Sequence, residues 1–280
     1  MAVRQTSNVD PKVVADFGKE WQAFNQGALT GHDLQSAFGQ YFGIFPFEKI
    51  NARSTGFDMG CGSGRWAKLM APRVGHLHCV DPSAVALESA RENLGQFSNC
   101  DFECASVSES RISDASQDFG YCLGVLHHIP DTMEGLRACA RKLRSGAPFL
   151  LYLYYRFDNR PTWFKLVWKM SDLARRAVSS LPFPVKLTIC QVIALSVYWP
   201  LSRTSLILEN LGLNVSNIPL SDYRKKPLYT LRTDALDRFG TRLEKRFTQT
   251  EIKKMMVDAG FADIRFSQSP PFWVAVGTKL

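Results

Sequence analysis

The stretch Phe57-Asp-Met-Gly-Cys-Gly-Ser-Gly-Arg-Trp66 constrains the fold of this chain more than any other. It reads as a strand that ends in an acid, followed by a glycine loop and the start of a helix. Gly60, Gly62 and Gly64 alternate, so a backbone without Cβ atoms can turn tightly and lie against a ligand. A second acid, Asp81, ends the next apolar run, Leu77-His-Cys-Val-Asp81, seventeen residues past Gly64. At the end of the second strand of an open parallel sheet, such an acid is placed to accept hydrogen bonds from a ribose diol. Glycine loop and spaced acid together point to an adenosine-containing cofactor. A dinucleotide fingerprint would need its third glycine at position 65, which is Arg65.

The pattern around this loop sets the fold class as α/β. Residues 54–155 alternate strand and helix, the signature of a parallel sheet. Strands are expected to end at Asp58 and Asp81, near Asp101 to Ala105, and over Phe119 to Leu123 and Pro148 to Tyr154. Helices are expected over Arg65 to Val74, Ser83 to Leu94 and Thr132 to Leu143. Residues 1–53 form an N-terminal helical cap, with Trp21 and Phe24, and then Leu34, Phe38, Tyr41 and Phe42, at three- and four-residue steps. Residues 156–232 break the alternation as a helical insertion. Residues 233–280 return to it: Thr248-Gln-Thr-Glu251 fits a capping box, and two strands follow around Pro270-Pro271.

The net charge of +8 is localised. Residues 156–232 hold twelve Lys or Arg against four Asp or Glu, which is the whole excess, so the charge describes one surface. Within that block Leu187 to Leu201 is a fifteen-residue run without charge, shorter than the roughly 20 residues a membrane span needs. It is expected to be a buried helix of a lid, or, with its flanking cations and Trp residues, a surface that rests on a membrane. Seven scattered cysteines without a C-x-x-C pair indicate buried free thiols rather than zinc or disulfides. His76 and His78 alternate on the second strand without an evident third ligand, so no metal is expected. The N-terminus lacks an apolar core of signal-peptide length, and a cytoplasmic location, with peripheral membrane association as a variant, is the expectation.

Asp58-x-Gly60-x-Gly62-x-Gly64 resembles the first motif of class I S-adenosylmethionine-dependent methyltransferases. Val80-Asp-Pro-Ser83, Asp118 to Asp131 and Leu143 to Leu151 match further motifs in order. The resemblance implies a Rossmann-like seven-stranded sheet, mostly parallel with an antiparallel last strand, and S-adenosyl-L-methionine as cofactor, released as S-adenosyl-L-homocysteine. It assigns Asp58 to the methionine end of the cofactor and Asp81 to the ribose. Gly60, Cys61, Gly62 and Gly64 form the turn, and Pro82, Val107, Leu123 and Gly124 complete the cofactor contacts. Many relatives carry an acid after strand three, where this chain has Ser106.

His127 and His128, after strand four, are the candidate catalytic residues, one of them a base with a pKa near neutrality. Tyr154, Tyr155, Arg160 and Trp21 are candidate substrate contacts. The strand-four sequence Leu123-Gly-Val-Leu-His-His128 lacks the [D/N]-P-P-[Y/F] of nitrogen methyltransferases. The motif resembles that of enzymes of small metabolites, quinones, sterols and sugars and does not fix the acceptor atom; the expected acceptor is a small molecule, an oxygen nucleophile of a sugar or secondary metabolite. A lipid-linked glycan or an RNA reached through the basic insertion, and a non-catalytic cofactor-binding protein, are the alternatives. No basic and aromatic module of the RNA-binding kind is visible.

Overall fold

A computed structural model describes residues 8–24 and 30–280. The sheet has seven strands: β1 Thr55–Met59, β2 His76–Asp81, β3 Cys100–Cys104, β4 Phe119–Leu123, β5 Pro148–Tyr152, β6 Phe261–Phe266 and β7 Ala275–Lys279. Their spatial order is β3-β2-β1-β4-β5-β7-β6. The first five run parallel, and β7 is antiparallel to both β5 and β6. The order reverses at β1, so the crevice outside the carboxyl ends of β1 and β4 is the topological switch point where ligands bind in open α/β sheets.

The helices are α1 Pro11–Ala23, α2 Gly31–Phe42, α3 Ala67–Met70, α4 Ala84–Leu94, α5 Thr132–Lys142, α6 Thr162–Ser179, α7 Phe183–Ile193, α8 Trp199–Asn210, α9 Leu228–Gly240 and α10 Gln249–Asp258. Local chemistry fixes several starts. Asp10 accepts from the N–H groups of Lys12 and Val13, and Asp131 from those of Met133 and Glu134. Ser83 caps α4, and Thr248 with Glu251 forms the capping box expected for α10. The first core helix is shorter than expected: α3 covers four residues and passes into a 3-10 turn at Ala71–Arg73. Pro72 lies inside that turn, where it can donate no hydrogen bond to carry the α-helix on.

The chain divides into two compact units. One contains α1, residues 34–156 and residues 243–280; the other contains residues 157–242 and the start of α2. The insertion thus runs ten residues past the expected boundary at 232. Hydrogen bonds explain the extension: Lys186 Nζ donates to the Gly240 carbonyl and Arg175 Nη1 to those of Thr241 and Arg242. The cysteines are free, and Cys61, Cys79, Cys122, Cys139 and Cys190 are buried; Cys104 is exposed.

In the first unit, apolar side chains cover both sheet faces. Phe57, Cys122, Phe149, Leu151 and Phe261 pack with α5 and α10 residues such as Leu136, Ile252 and Met256. Leu77, Phe119, Tyr121 and Leu150 pack with Phe38, Phe42, Trp66, Leu87 and Leu94. At the centre Gly56 pairs with Phe119 and Phe57 with Gly120. A Cβ on Gly120 would lie 2.2 Å from the Phe57 ring, and one on Gly56 would lie 2.3 Å from the Phe119 ring. Each glycine makes room for the ring across from it. Gly120→Val is expected to destabilise the protein by about 1–3 kcal/mol through overpacking, read by urea unfolding; unchanged stability would show that the rings can move aside.

Candidate functional site

The site is built at the carboxyl ends of four neighbouring strands. Asp58 is the penultimate residue of β1, Asp81 ends β2, Leu123 ends β4 with Gly124 after it, and Tyr152 ends β5 with Tyr154 two residues on. Neighbouring strands lie about 4.8 Å apart, so these residues form one short row.

The glycine loop is tied to β2. The N–H groups of Gly60 and Cys61 donate to the Val80 carbonyl at 2.7 and 3.0 Å. Gly60, Gly62 and Gly64 all have positive φ, at 79°, 53° and 76°, a backbone that residues with a Cβ rarely adopt. Asp81 holds the loop from the side: its Oδ2 accepts from the Gly62 N–H at 3.0 Å and its Oδ1 from the Ser83 N–H at 2.9 Å. Burial pushes the Asp81 carboxyl up to about 6, against those two N–H groups, which favour the carboxylate. Each oxygen has capacity for a further donor.

Asp58 is more extreme. It is buried, and Oδ2 has no hydrogen-bond partner among the described residues. Burial pushes its carboxyl up to about 8; the Tyr121 hydroxyl pulls the other way, Asp81 adds to the rise and Arg65 opposes it. A buried acid with an uncommitted oxygen fits a ligand that brings its own cation. With the diol-accepting geometry of Asp81, these residues fit a ligand carrying both an ammonium group and a ribose.

The remaining cofactor candidates lie at the edges of this row. Ser106 and Val107 are buried after β3, and the Ser106 hydroxyl donates to Glu109 at 2.6 Å. Pro82 sits between Asp81 and the Ser83 cap of α4. Gly124 has φ of 83° with nothing within 4 Å of where a Cβ would stand. Trp21, proposed as a substrate contact, lies against the loop instead: its ring would be 2.9 Å from a Cβ on Gly62.

His127 and His128 form a 3-10 turn after β4 and are both buried. Of the two candidates for a base with a pKa near neutrality, His127 does not fit that role. Burial, and then the neighbouring His128 and Arg246 charges, push it well below the ordinary imidazole value, and neither ring nitrogen has a hydrogen-bond partner among the described residues. Its ring lies 3.9 Å from that of Tyr154. His128 donates from Nδ1 to the Leu243 carbonyl at 2.7 Å, which fixes its tautomer and leaves Nε2 as the basic nitrogen. The Phe17 ring of α1 packs 5.1 Å from His128.

Residues 243–247 brace this pair, a role that pattern reading missed. Lys245 N–H donates to the His127 carbonyl at 3.0 Å, and Phe247 N–H to the Tyr154 carbonyl at 2.9 Å. Alternation then places Glu244 and Arg246 on one side. They form a 2.6 Å ion pair whose side chains are 2% and 8% exposed, and the guanidinium lies 5.1 Å from the Tyr154 ring centre. The signal was present as an acid and a base two residues apart, just before the capping box.

Two substrate candidates have partners of their own. Tyr155 alternates to the opposite face from Tyr154 and packs against Phe272 and Trp273 at 5.5 and 6.5 Å. Arg160 belongs to the second unit, where it donates to the Ser216 carbonyl and pairs with Asp222 at 3.6 Å. Its charge is thus committed within the insertion. His76 and His78 do find a carboxylate: the parallel register sets Asp101 of β3 opposite His78, at 2.8 Å from its Nδ1 and 3.2 Å from His76 Nε2. Both imidazoles bond the one carboxylate, and their rings meet edge to face at 4.7 Å.

The raised Asp58 has a measurable consequence in the ligand-free protein. Between about pH 4 and pH 8 the folded state keeps a proton that the unfolded chain has lost. Its contribution is fully present below the unfolded value and is lost as the pH rises through 8, so stability falls across that window. Asp58→Asn is expected to flatten this fall and to be the more stable protein at pH 9, measured by urea unfolding as a function of pH. Parallel curves for the two proteins would show that Asp58 ionises normally.

Known proteins agree with this geometry. Residues 57–151 match the family model described as a methyltransferase domain. A ubiquinone biosynthesis O-methyltransferase of Idiomarina loihiensis is 29% identical over 159 residues, 51% of this chain and 60% of that protein. The enzyme of the same name from Aromatoleum aromaticum is 32% identical over 136 residues, 45% of this chain and 58% of that protein. The chain therefore spans about three fifths of the length of these curated relatives. Among solved structures, a protein assigned as a methyltransferase from Bacillus halodurans shares the fold with a TM-score of 0.51 and 14% identity, over 82% of this chain and 70% of that one. A Haloferax volcanii structure of a methyltransferase activator complex does so with a TM-score of 0.50 and 15% identity, over 99% of both chains. Glycine loop, spaced acids, strand order and family match agree, and residues 57–151 are a methyltransferase domain of the class I, S-adenosylmethionine-dependent type.

Proposed function

We propose that this protein transfers a methyl group from S-adenosylmethionine to a hydroxyl of a small acceptor held at the carboxyl ends of β4 and β5. The observation that carries the reading is the enclosed group of His127, His128 and Tyr154, one strand away from Asp58 of β1. The name shared by the curated relatives supports oxygen as the acceptor atom. It favours the ring hydroxyl of a quinone-type aromatic molecule as the first class to test, ahead of a sugar.

When bound, the cofactor supplies a methyl on a sulfonium, whose sulfur leaves as a neutral thioether. The protein then has to hold the acceptor in line, keep water out and receive one proton. Asp58 holds the ammonium end, its carboxylate favoured once a cation replaces solvent. Asp81 accepts from the ribose hydroxyls while it keeps the Gly62 and Ser83 N–H groups. His128 takes the acceptor proton at Nε2, oriented through its Nδ1–H bond to the Leu243 carbonyl. His127 is a neutral ring, so it lines the acceptor site without competing for the proton.

Asp81→Ala should weaken S-adenosylhomocysteine binding by about 1–3 kcal/mol, since ribose hydroxyls lose a charged acceptor. Isothermal titration reads this directly, and equal affinity would remove the ribose assignment. In the wild type, binding should also release protons, as Asp58, protonated below about pH 8, ionises against the ammonium. The heat will then vary with the ionisation enthalpy of the buffer, and Asp58→Asn should lose that dependence.

The histidines separate by a different measurement, methyl transfer to a small catechol. His128→Gln should lower kcat by roughly 10²–10⁴, the range for a lost general base, and flatten the acidic limb of the pH–rate profile, with homocysteine-product affinity retained. His127→Gln should act chiefly on KM. Equal turnover by both variants would exclude a histidine base.

A further inference from the structure

The second unit buries a small apolar core that includes Tyr198, Leu231, Leu236 and Phe239, yet it leaves apolar stripes exposed on its helices. On α6 the side chains of Trp163, Leu166, Val167, Met170 and Leu173 recur at helical spacing as one stripe, and all are exposed, Met170 and Leu173 by 69% and 72%. The buried side of the same helix carries Arg175 and Ser179. Arg175 is held there by Asp172 at 2.7 Å and by the carbonyls of Thr241 and Arg242. The next helix repeats the arrangement. Val185 and Val192 of α7 are exposed, as are Leu195 in the π-helical turn after it and Trp199 at the start of α8, whereas Lys186 is buried and bonded to the Gly240 carbonyl. Of the large apolar side chains exposed among the described residues, all but Val257 and Leu280 lie between Trp163 and Leu213.

Single exposed apolar residues are ordinary, but a run of parallel stripes is not. We infer that this face of residues 157–213 rests in the interface of an anionic membrane. Charge selects that occupant over a second copy of the chain. Residues 157–242 hold thirteen Lys or Arg against six Asp or Glu, and Lys165, Lys169 and Arg176 lie on α6 itself. A second copy would bring the same positive charge against this face, whereas an acidic lipid surface neutralises it. Trp163 and Trp199 are side chains that favour the headgroup level.

The helix lies on the membrane rather than through it. Phe183–Asn210 is continuous over 28 residues and apolar enough to cross a bilayer. Yet crossing would strip the Lys186 bond to Gly240 and the hydrogen bonds of Arg203 to the carbonyls of Arg224 and Lys226. It would also break the ion pairs of Glu209 with Arg224 and Lys225. An amphipathic helix lying in the interface keeps all of them.

The test needs no methyl transfer, so it stands apart from the proposed reaction. The 280-residue chain is floated with vesicles of phosphatidylcholine alone or with about a quarter phosphatidylglycerol. Wild type should float with the anionic vesicles, and its tryptophan emission should shift to the blue. Leu166→Glu/Met170→Glu/Leu173→Glu should reduce the bound fraction at least about tenfold, with thermal unfolding and S-adenosylhomocysteine binding unchanged because these side chains make no core contact. Lys165→Glu/Lys169→Glu should weaken binding to the anionic vesicles only. Wild type that stays with the aqueous phase overturns the inference. So does a triple Glu variant that floats as well as wild type. A concentration-dependent dimer that is lost in the triple variant, without flotation, would assign the face to a second copy instead.

Discussion

The loop at the head of the sheet depends on one buried carboxylate. Asp81 accepts from Gly62 on one side and from Ser83 on the other, so it joins the glycine loop after β1 to the first turn of the helix after β2. These N–H groups would otherwise be orphaned at the top of the core. The arrangement carries a cost, since burial of the charge raises the carboxyl to about 6. It is offset only in part by two neutral donors, so the site is built to gain from further donors. Asp58 repeats the logic with less compensation: burial dominates, Oδ2 is uncommitted, and the acid rises to about 8. A core made only for stability would have replaced both by apolar side chains.

Much of this was legible in the sequence because it is written in local terms. Alternating glycines, the acids at strand ends and the capping box at Thr248 are each carried by a few neighbouring residues. The seven-stranded sheet with its antiparallel last strand followed from the resemblance that those local signals supported. The brace of Leu243 to Phe247 was not legible. Its contacts to His127, His128 and Tyr154 span about a hundred residues of chain, and Glu244 and Arg246 look like an ordinary solvated pair until both are found buried. The partners of Tyr155 and Arg160 were equally beyond the reach of local pattern. Alternation after β5 sends Tyr155 to the opposite side from Tyr154, and Arg160 is claimed by partners fifty-six and sixty-two residues downstream.

The insertion shows a different limit. Helical periodicity reveals a stripe but not what the stripe faces. On α6 the spacing of Trp163, Leu166, Val167, Met170 and Leu173 reads as a core face by every sequence rule. Only the position of Arg175 and Lys186, turned inward and bonded to the carbonyls that end α9, shows that the apolar side is the outer one. The boundary moved for the same reason, because α9 and the residues after it supply the acceptors for those buried cations.

The two units thus break the same rule in opposite directions, and each break points to a missing component of its surroundings. In the first, acids and a pair of imidazoles are withdrawn from water without full hydrogen bonding, which is costly until a polar ligand completes them. In the second, apolar stripes are left in water, which is costly until an apolar phase covers them. A sequence that agrees with itself at every other level, from caps to core packing, departs from consistency where function demands it. His127 illustrates the point: burial favours its neutral ring, and neither ring nitrogen has a hydrogen-bond partner among the described residues.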